Sequence, residues 1–153
     1  MTAIQDHYAE NFAACYGCGY KNEQGHQLKT RWDGDDTLTI FTPEAHHTAI
    51  PGFVYGGILA SAIDCHGTGS GSLALAKDRK LEISGDNAPR CVTASLSVKY
   101  LKPTPLGPEL HIKGIIREIK GRKIIVDAEL YANGVLTVKG EIVVVEVPEN
   151  FGN

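Results

Sequence analysis

Ile58–Asp78, ILASAIDCHGTGSGSLALAKD, is the stretch on which the fold turns. Its apolar spacing is nearer four than two, and Ile58, Leu59, Ala62, Ile63, Ser70, Leu73 and Ala74 fall on one broad helical face. Gly67, Gly69 and Gly71 oppose a helix, each costing about 1 kcal/mol relative to alanine, so propensity alone makes the middle a loop. We nevertheless read one long helix, because small residues let its back half lie unusually close to a sheet or to a twin helix.

Working outward, the residues before this helix form a loop rich in Pro, His and Gly, TPEAHHTAIPGFVYGG. HQLKTRW and TLTIF precede that loop; both alternate, with a turn at Asp33, Gly34 and Asp35 between them, which predicts a hairpin. Tyr8–Phe12 reads as the end of a short helix, and CYGCGYKNEQG, Cys15 to Gly25, as a packed loop. After the helix and the polar segment DRKLEISGDNAPR come CVTASLSVKYL, ELHIKGIIREI, RKIIVDAELYA and VLTVKGEIVVVEV, which read as an antiparallel set. Gly121 and Asn133-Gly134 sit where tight hairpin turns belong, and Pro103, Pro105 and Pro108 separate the first two of the four. The expected class is α+β, a six-stranded antiparallel sheet with one long central helix on one face. Such a sheet leaves its edges and the outer side of the helix unfinished, and dimerisation is the usual remedy.

The 153 residues make one domain, 1–153, on a size prior of roughly 100 to 200 residues per domain. Hydrophobic residues at 42% and charged residues at 22% exclude collagen-like, disordered and membrane-spanning classes. The net charge of −3, with no run of Lys or Arg, argues against a nucleic-acid partner. MTAIQDHYAENF lacks the basic start and apolar stretch of an export signal, so a cytoplasmic location and four free thiols are expected.

PGFVYGGILASAID, Pro51 to Asp64, carries the chemistry. A helix beginning at Gly57 points its first backbone N–H groups, which lack intrahelical partners, at whatever lies before them, and Gly56 and Gly57 leave room for a carbonyl to reach them. Negative charge developing on that oxygen would be stabilised as in an oxyanion hole. Asp64 is the only carboxylate between Glu44 and Asp78. It lies two turns from Gly57 on the same face, roughly 10 Å along the axis, too far for both to serve one carbonyl. An antiparallel partner helix would bring Asp64 of one subunit opposite Gly57 of the other. The plainer reading of Asp64 is a solvated carboxylate or one paired with Lys102.

Together with CVTASLSVKYLKPTPLG and the opening Cys15, Cys18, Gly19, Asn22, Gly25, this stretch resembles the hotdog-fold acyl-CoA thioesterases of the PaaI type, over Cys15 to Val147. The resemblance implies hydrolysis of an acyl-CoA thioester in a homodimer or a dimer of dimers, with no cofactor, since CoA is part of the substrate. It places the amide donor on Gly57, the catalytic carboxylate on Asp64 and a water-assisting threonine on Thr93. Tyr55 stands where the family usually has histidine, which argues against the dehydratase chemistry found elsewhere on this fold. Tyr55, Gly56 and His47 are expected around the acyl group, with Arg90, Lys99 and Lys102 as candidates for the CoA phosphates. A noncatalytic acyl-CoA or lipid-binding protein is the alternative reading, Tyr55 then marking lost reacting geometry.

No metal site is expected. Cys15 and Cys18 offer two ligands, to which His26 could be added, but structural zinc takes four and no second CxxC or HxxxH follows. Cys65 points about 100° away from Asp64 on a helix, and it reads as a buried thiol rather than a nucleophile.

Overall fold

The computed structural model describes residues 2–148, 150 and 151. Strands β1 (Thr30–Asp33) and β2 (Asp36–Phe41) lead to a single helix, α1 (Gly56–Asp78). Strands β3 (Cys91–Tyr100), β4 (Leu110–Lys120), β5 (Lys123–Ala132) and β6 (Val135–Glu146) follow. All pairings are antiparallel, in the order β1-β2-β4-β5-β6-β3, and the sheet curls around α1 in the hotdog arrangement. β3 does not pair with β4. The proline-rich segment carries the chain to the centre of the sheet and leaves β3 at its far edge beside β6.

The alternation of β5 places Ile124, Val126, Ala128, Leu130 and Ala132 inward, where they meet the helix with Ile112, Ile142 and Val144. Asn133 and Gly134 both take positive φ, at 52° and 75°, as a tight β5–β6 turn requires. The helical glycines are explained by closeness to the sheet. A Cβ on Gly67 would sit 2.6 Å from Ile142 Cγ2, and one on Gly71 would sit 2.5 Å from Val144 Cγ2.

Three expectations are corrected. The first turns of the chain are two 3-10 segments, Ile4–His7 and Glu10–Phe12, parted by extended Ala9, because Tyr8 between them dives into the core and reaches Ser72 Oγ at 3.4 Å. β1 starts at Thr30 and not near His26, since Gln27 takes φ of 51° and interrupts the extended backbone. The outer side of α1 is not left open: Cys65 to Ala76 is buried all round, and the chain's own opening segment lies over it, with Gln5 against Gly69 and Gly17 against Cys65. Among the described residues the first turns of α1 and the outer edge of β3 remain uncovered, and the outer edge of β1 pairs with no strand.

A buried polar chain ties this cover to the sheet. Thr30 N–H donates to Gln5 Oε1 at 2.7 Å, and Gln5 Nε2 donates to Thr30 Oγ1 at 2.9 Å. The chain continues through Thr39 Oγ1, 2.9 Å from Thr30 Oγ1, to His66 Nδ1 at 2.7 Å. Gly114 makes room for it, since a Cβ there would lie 2.5 Å from His66 Nε2.

Burial pushes the His66 pKa down to about 3, from 6.5. The folded protein therefore refuses a proton that the unfolded chain accepts below about pH 6.5, so the stability is present above that pH and drains away as pH falls towards 3. From pH 7 to 5 this one group removes about 2 kcal/mol. Urea titrations across that range should show the loss, and His66→Gln should flatten it; equal slopes in both proteins would refute the assignment.

Candidate active site

The start of α1 is fixed from behind by main-chain bonds. Val54 N–H donates to Thr104 O and Tyr55 N–H to His47 O, each at 2.9 Å, and Thr104 is held in turn by Thr137 at 2.8 Å. Tyr55 occupies the N-cap position, and its side chain accepts no hydrogen bond from the helix. The N–H groups of Gly56 and Gly57 consequently have no partner among the described residues. Gly57 is exposed, and the Tyr55 ring lies alongside it, with a Cβ at Gly57 falling 2.5 Å from Tyr55 Cε2.

Tyr100, which the sequence reading missed, completes this end. Its hydroxyl donates to Gly56 O at 2.7 Å. In a trans peptide the C=O and the following N–H point in opposite directions, so anchoring the Gly56 carbonyl fixes where the Gly57 N–H aims. Burial raises the Tyr100 pKa, with nearby Tyr55 adding to the effect, which keeps its proton available for that bond.

Two turns along, half-buried Asp64 accepts a hydrogen bond from Thr93 on β3, with Oγ1 2.5 Å from Oδ1. Thr93 and Tyr100 are seven residues apart, an odd spacing that puts them on opposite faces of a regular strand. Both nevertheless touch α1. The register slips between Thr93 and Ser95, leaving Ala94 as an extra residue, and this bulge turns both side chains towards the helix. No alternation pattern signals it. A strand residue whose hydroxyl would face the wrong way was the only available hint.

The other candidates separate. Lys99 neighbours Tyr100 and faces the opposite side of the sheet, where it borders a shallow groove with Lys139 and Glu141. Lys102 is exposed just beyond β3. Arg90 lies at the far end of β3, roughly 30 Å from Lys99 at about 3.3 Å per residue. There its side chain donates to Phe12 O and Cys91 O and stacks on the Tyr8 ring, 4.6 Å from the centroid. The three cations do not form one patch within a protomer.

His47 is buried in the loop before α1, its Nδ1 accepting from Glu44 N–H at 3.0 Å and its ring edge-to-face with His26 and tilted against His46. With Phe41 and Glu44 these histidines border a cavity of about 250 Å³. Cys65 turns to the opening loop, where its Sγ lies 3.8 Å from Cys15 Sγ, so the CYGC segment packs on the helix through sulfur. Among the described residues, no helix is long and apolar enough to cross a membrane.

A hotdog sheet whose helix presents a free N-terminus and an inward carboxylate defines a thioesterase-like domain, and residues 51–139 match the thioesterase superfamily. The chain belongs to that superfamily. A thioesterase superfamily protein from Shewanella loihica PV-4 is similar in structure, with a TM-score of 0.67 and 46% identity over 79% of this chain and 91% of that one. Two curated relatives are named acyl-coenzyme A thioesterase THEM4. The Mus musculus protein is 29% identical over 94 residues, 61% of this chain and 35% of its own length. The Xenopus laevis protein is 31% identical over 93 residues, 61% and 36%. The chain thus spans about a third of the length of these curated relatives.

Proposed function

We propose that the protein hydrolyses an acyl-CoA thioester to the free acid and CoA, at a site shared between two antiparallel α1 helices of a homodimer. The observation that carries this reading is Asp64, bonded by Thr93 of β3 and carried on the same helix whose Gly57 N–H has no partner among the described residues. Kinship with proteins named acyl-coenzyme A thioesterase supports the substrate class. Among the described residues the outer edge of β3 pairs with no strand and exposes Leu96, which supports a second copy as its neighbour.

Thr93 already donates its proton to Asp64 Oδ1, so its oxygen remains an acceptor. A water would give one O–H to Thr93 Oγ1 and the other to Asp64 Oδ2, leaving a lone pair for the thioester carbon. As the C–O bond forms, Asp64 takes the proton and the carbonyl oxygen becomes an oxyanion against the partner subunit's Gly57 N–H. Collapse breaks the C–S bond, and the proton on Asp64 passes to the departing CoA sulfur. No metal or cofactor takes part. Gly56 and Tyr55 shape the acyl approach, His47 holds Tyr55 from behind through its carbonyl, and Lys102 is the basic residue best placed to meet the CoA phosphates from the Tyr100 end of β3.

A panel of acyl-CoAs assayed with a thiol-trapping dye tests the reaction. Release of free thiol supports it, and tight binding with no thiol released returns the noncatalytic reading. Tyr100→Phe keeps the ring and removes the bond to Gly56, so kcat should fall about tenfold, the value of one ordinary hydrogen bond, with KM nearly unchanged. Unaltered kcat would show that Tyr100 does not position the amide.

A further inference from the structure

The sulfur cluster lies outside the hydrolytic machinery and has a chemistry of its own. Cys15, Cys18 and Cys65 hold their sulfurs within 4.8 Å of one another, and the Cys15–Cys65 pair is in contact at 3.8 Å. Their environments differ. Cys18 and Cys65 are buried, whereas Cys15 is partly exposed and lines a surface cavity together with Arg90. The contact is built into the loop, since a Cβ on Gly17 would fall 2.2 Å from Cys65 Sγ and only glycine lets the turn pass so close. An accessible thiol that shares a surface cavity with a guanidinium, with a second thiol in contact behind it, is the arrangement of a peroxide-reactive cysteine and its resolving partner. The same guanidinium charge disfavours a metal cation, and no fourth ligand completes the cluster among the described residues.

We propose that Cys15 is a site of reversible oxidation by hydrogen peroxide, resolved by Cys65 into a disulfide. The Cys15 thiolate attacks one peroxide oxygen; the S–O bond forms, the O–O bond breaks, and hydroxide leaves to become water. Cys15 is now a sulfenic acid. The Cys65 sulfur attacks the Cys15 sulfur, the S–S bond forms, the S–O bond breaks, and the departing hydroxyl leaves as water with the Cys65 proton. Two thiols and one peroxide thus give one disulfide and two waters, and a small dithiol reverses the change. The cross-link fastens the opening loop to α1 one residue from Asp64.

The test uses the intact reduced protein, treated with one equivalent of hydrogen peroxide, alkylated in denaturant and mapped by mass spectrometry. Two of the four free thiols should be lost to a peptide joining Cys15 to Cys65, restored by dithiothreitol, while Cys91 stays fully alkylated. Cys15→Ser should abolish the cross-link and slow thiol loss at least tenfold. Cys65→Ser combined with Cys18→Ser should leave Cys15 as a sulfenic acid trapped by dimedone. The wild-type map stands even where a variant fails to fold. Oxidation that spares Cys15, a dominant cross-link that omits Cys65, or one equivalent of zinc held by the protein as purified overturns the proposal.

Discussion

Asp64→Asn should lower turnover about a thousandfold while leaving the fold and the thermal midpoint nearly unchanged, since loss of a positioned general base costs about 10²–10⁴ in rate. Asparagine keeps the size of the side chain and can still accept from Thr93, so the change removes the ability to take a proton from water and little else. Thr93→Val, which removes the hydroxyl proposed to hold the water, should cost about tenfold. Together the two variants separate base from positioner. An Asp64→Asn enzyme with more than about a tenth of the wild-type rate would mean that the carboxylate is not the base.

Gly67→Ala sets two effects of opposite sign against each other. Helix propensity favours alanine by about 1 kcal/mol at an interior helical position. Against this, the new Cβ would lie within 2.8 Å of three Ile142 atoms on β6, in a part of the core where neither element has room to retreat. Overpacking of this kind costs about 1–3 kcal/mol, and here the contact is with the branched base of the side chain and not a flexible tip. Three atoms met at under 3.0 Å put the cost at the upper end of that range, about 3 kcal/mol, so the net expectation is destabilisation by roughly 2 kcal/mol, a fall in Tm of about 5 °C for a chain of this size. Calorimetry that found Gly67→Ala more stable than the parent would show that α1 does not press on β6 as described.

That same contact explains why the helix was legible in the sequence and yet at odds with its own propensities. The spacing of Leu59, Ala62, Ile63, Leu73 and Ala74 carries the helical period, and the glycines between them are where the helix meets the sheet at closest range. The four later strands were legible because β5 and the first half of β4 alternate cleanly and their turns use Gly121 and Asn133-Gly134. Less legible were features that depend on one residue breaking a pattern. Gln27 with positive φ ends the extended backbone ahead of β1, and the bulge at Ala94 reverses the facing of β3 just after its first three residues. Period-two reading counts straight through both.

The candidate site divides in the same way. Gly57 and Asp64 stand out locally, one at a helix start and the other as a lone carboxylate in an apolar run. Tyr100 and the clustering of Cys65 with Cys15 and Cys18 arise from long-range packing, across 44 and 50 residues, with no local signal. The basic residues show the converse error. Arg90, Lys99 and Lys102 look like one group in sequence, but strand length and alternation send them to different ends and faces.

If each reacting centre takes its amide from one chain and its carboxylate from another, two variants that are inactive alone should restore activity when mixed. Gly57→Pro removes the free N–H in the first helical turn, where proline is tolerated once the exposed Tyr55 ring swings aside, and Asp64→Asn removes the proposed base. Unfolded together in equal amounts and refolded, half the dimers are mixed and each carries one intact site, so about a quarter of the wild-type thioesterase activity should return. Recovery of no activity from a mixture shown to contain mixed dimers would place both groups in the same chain and contradict the account.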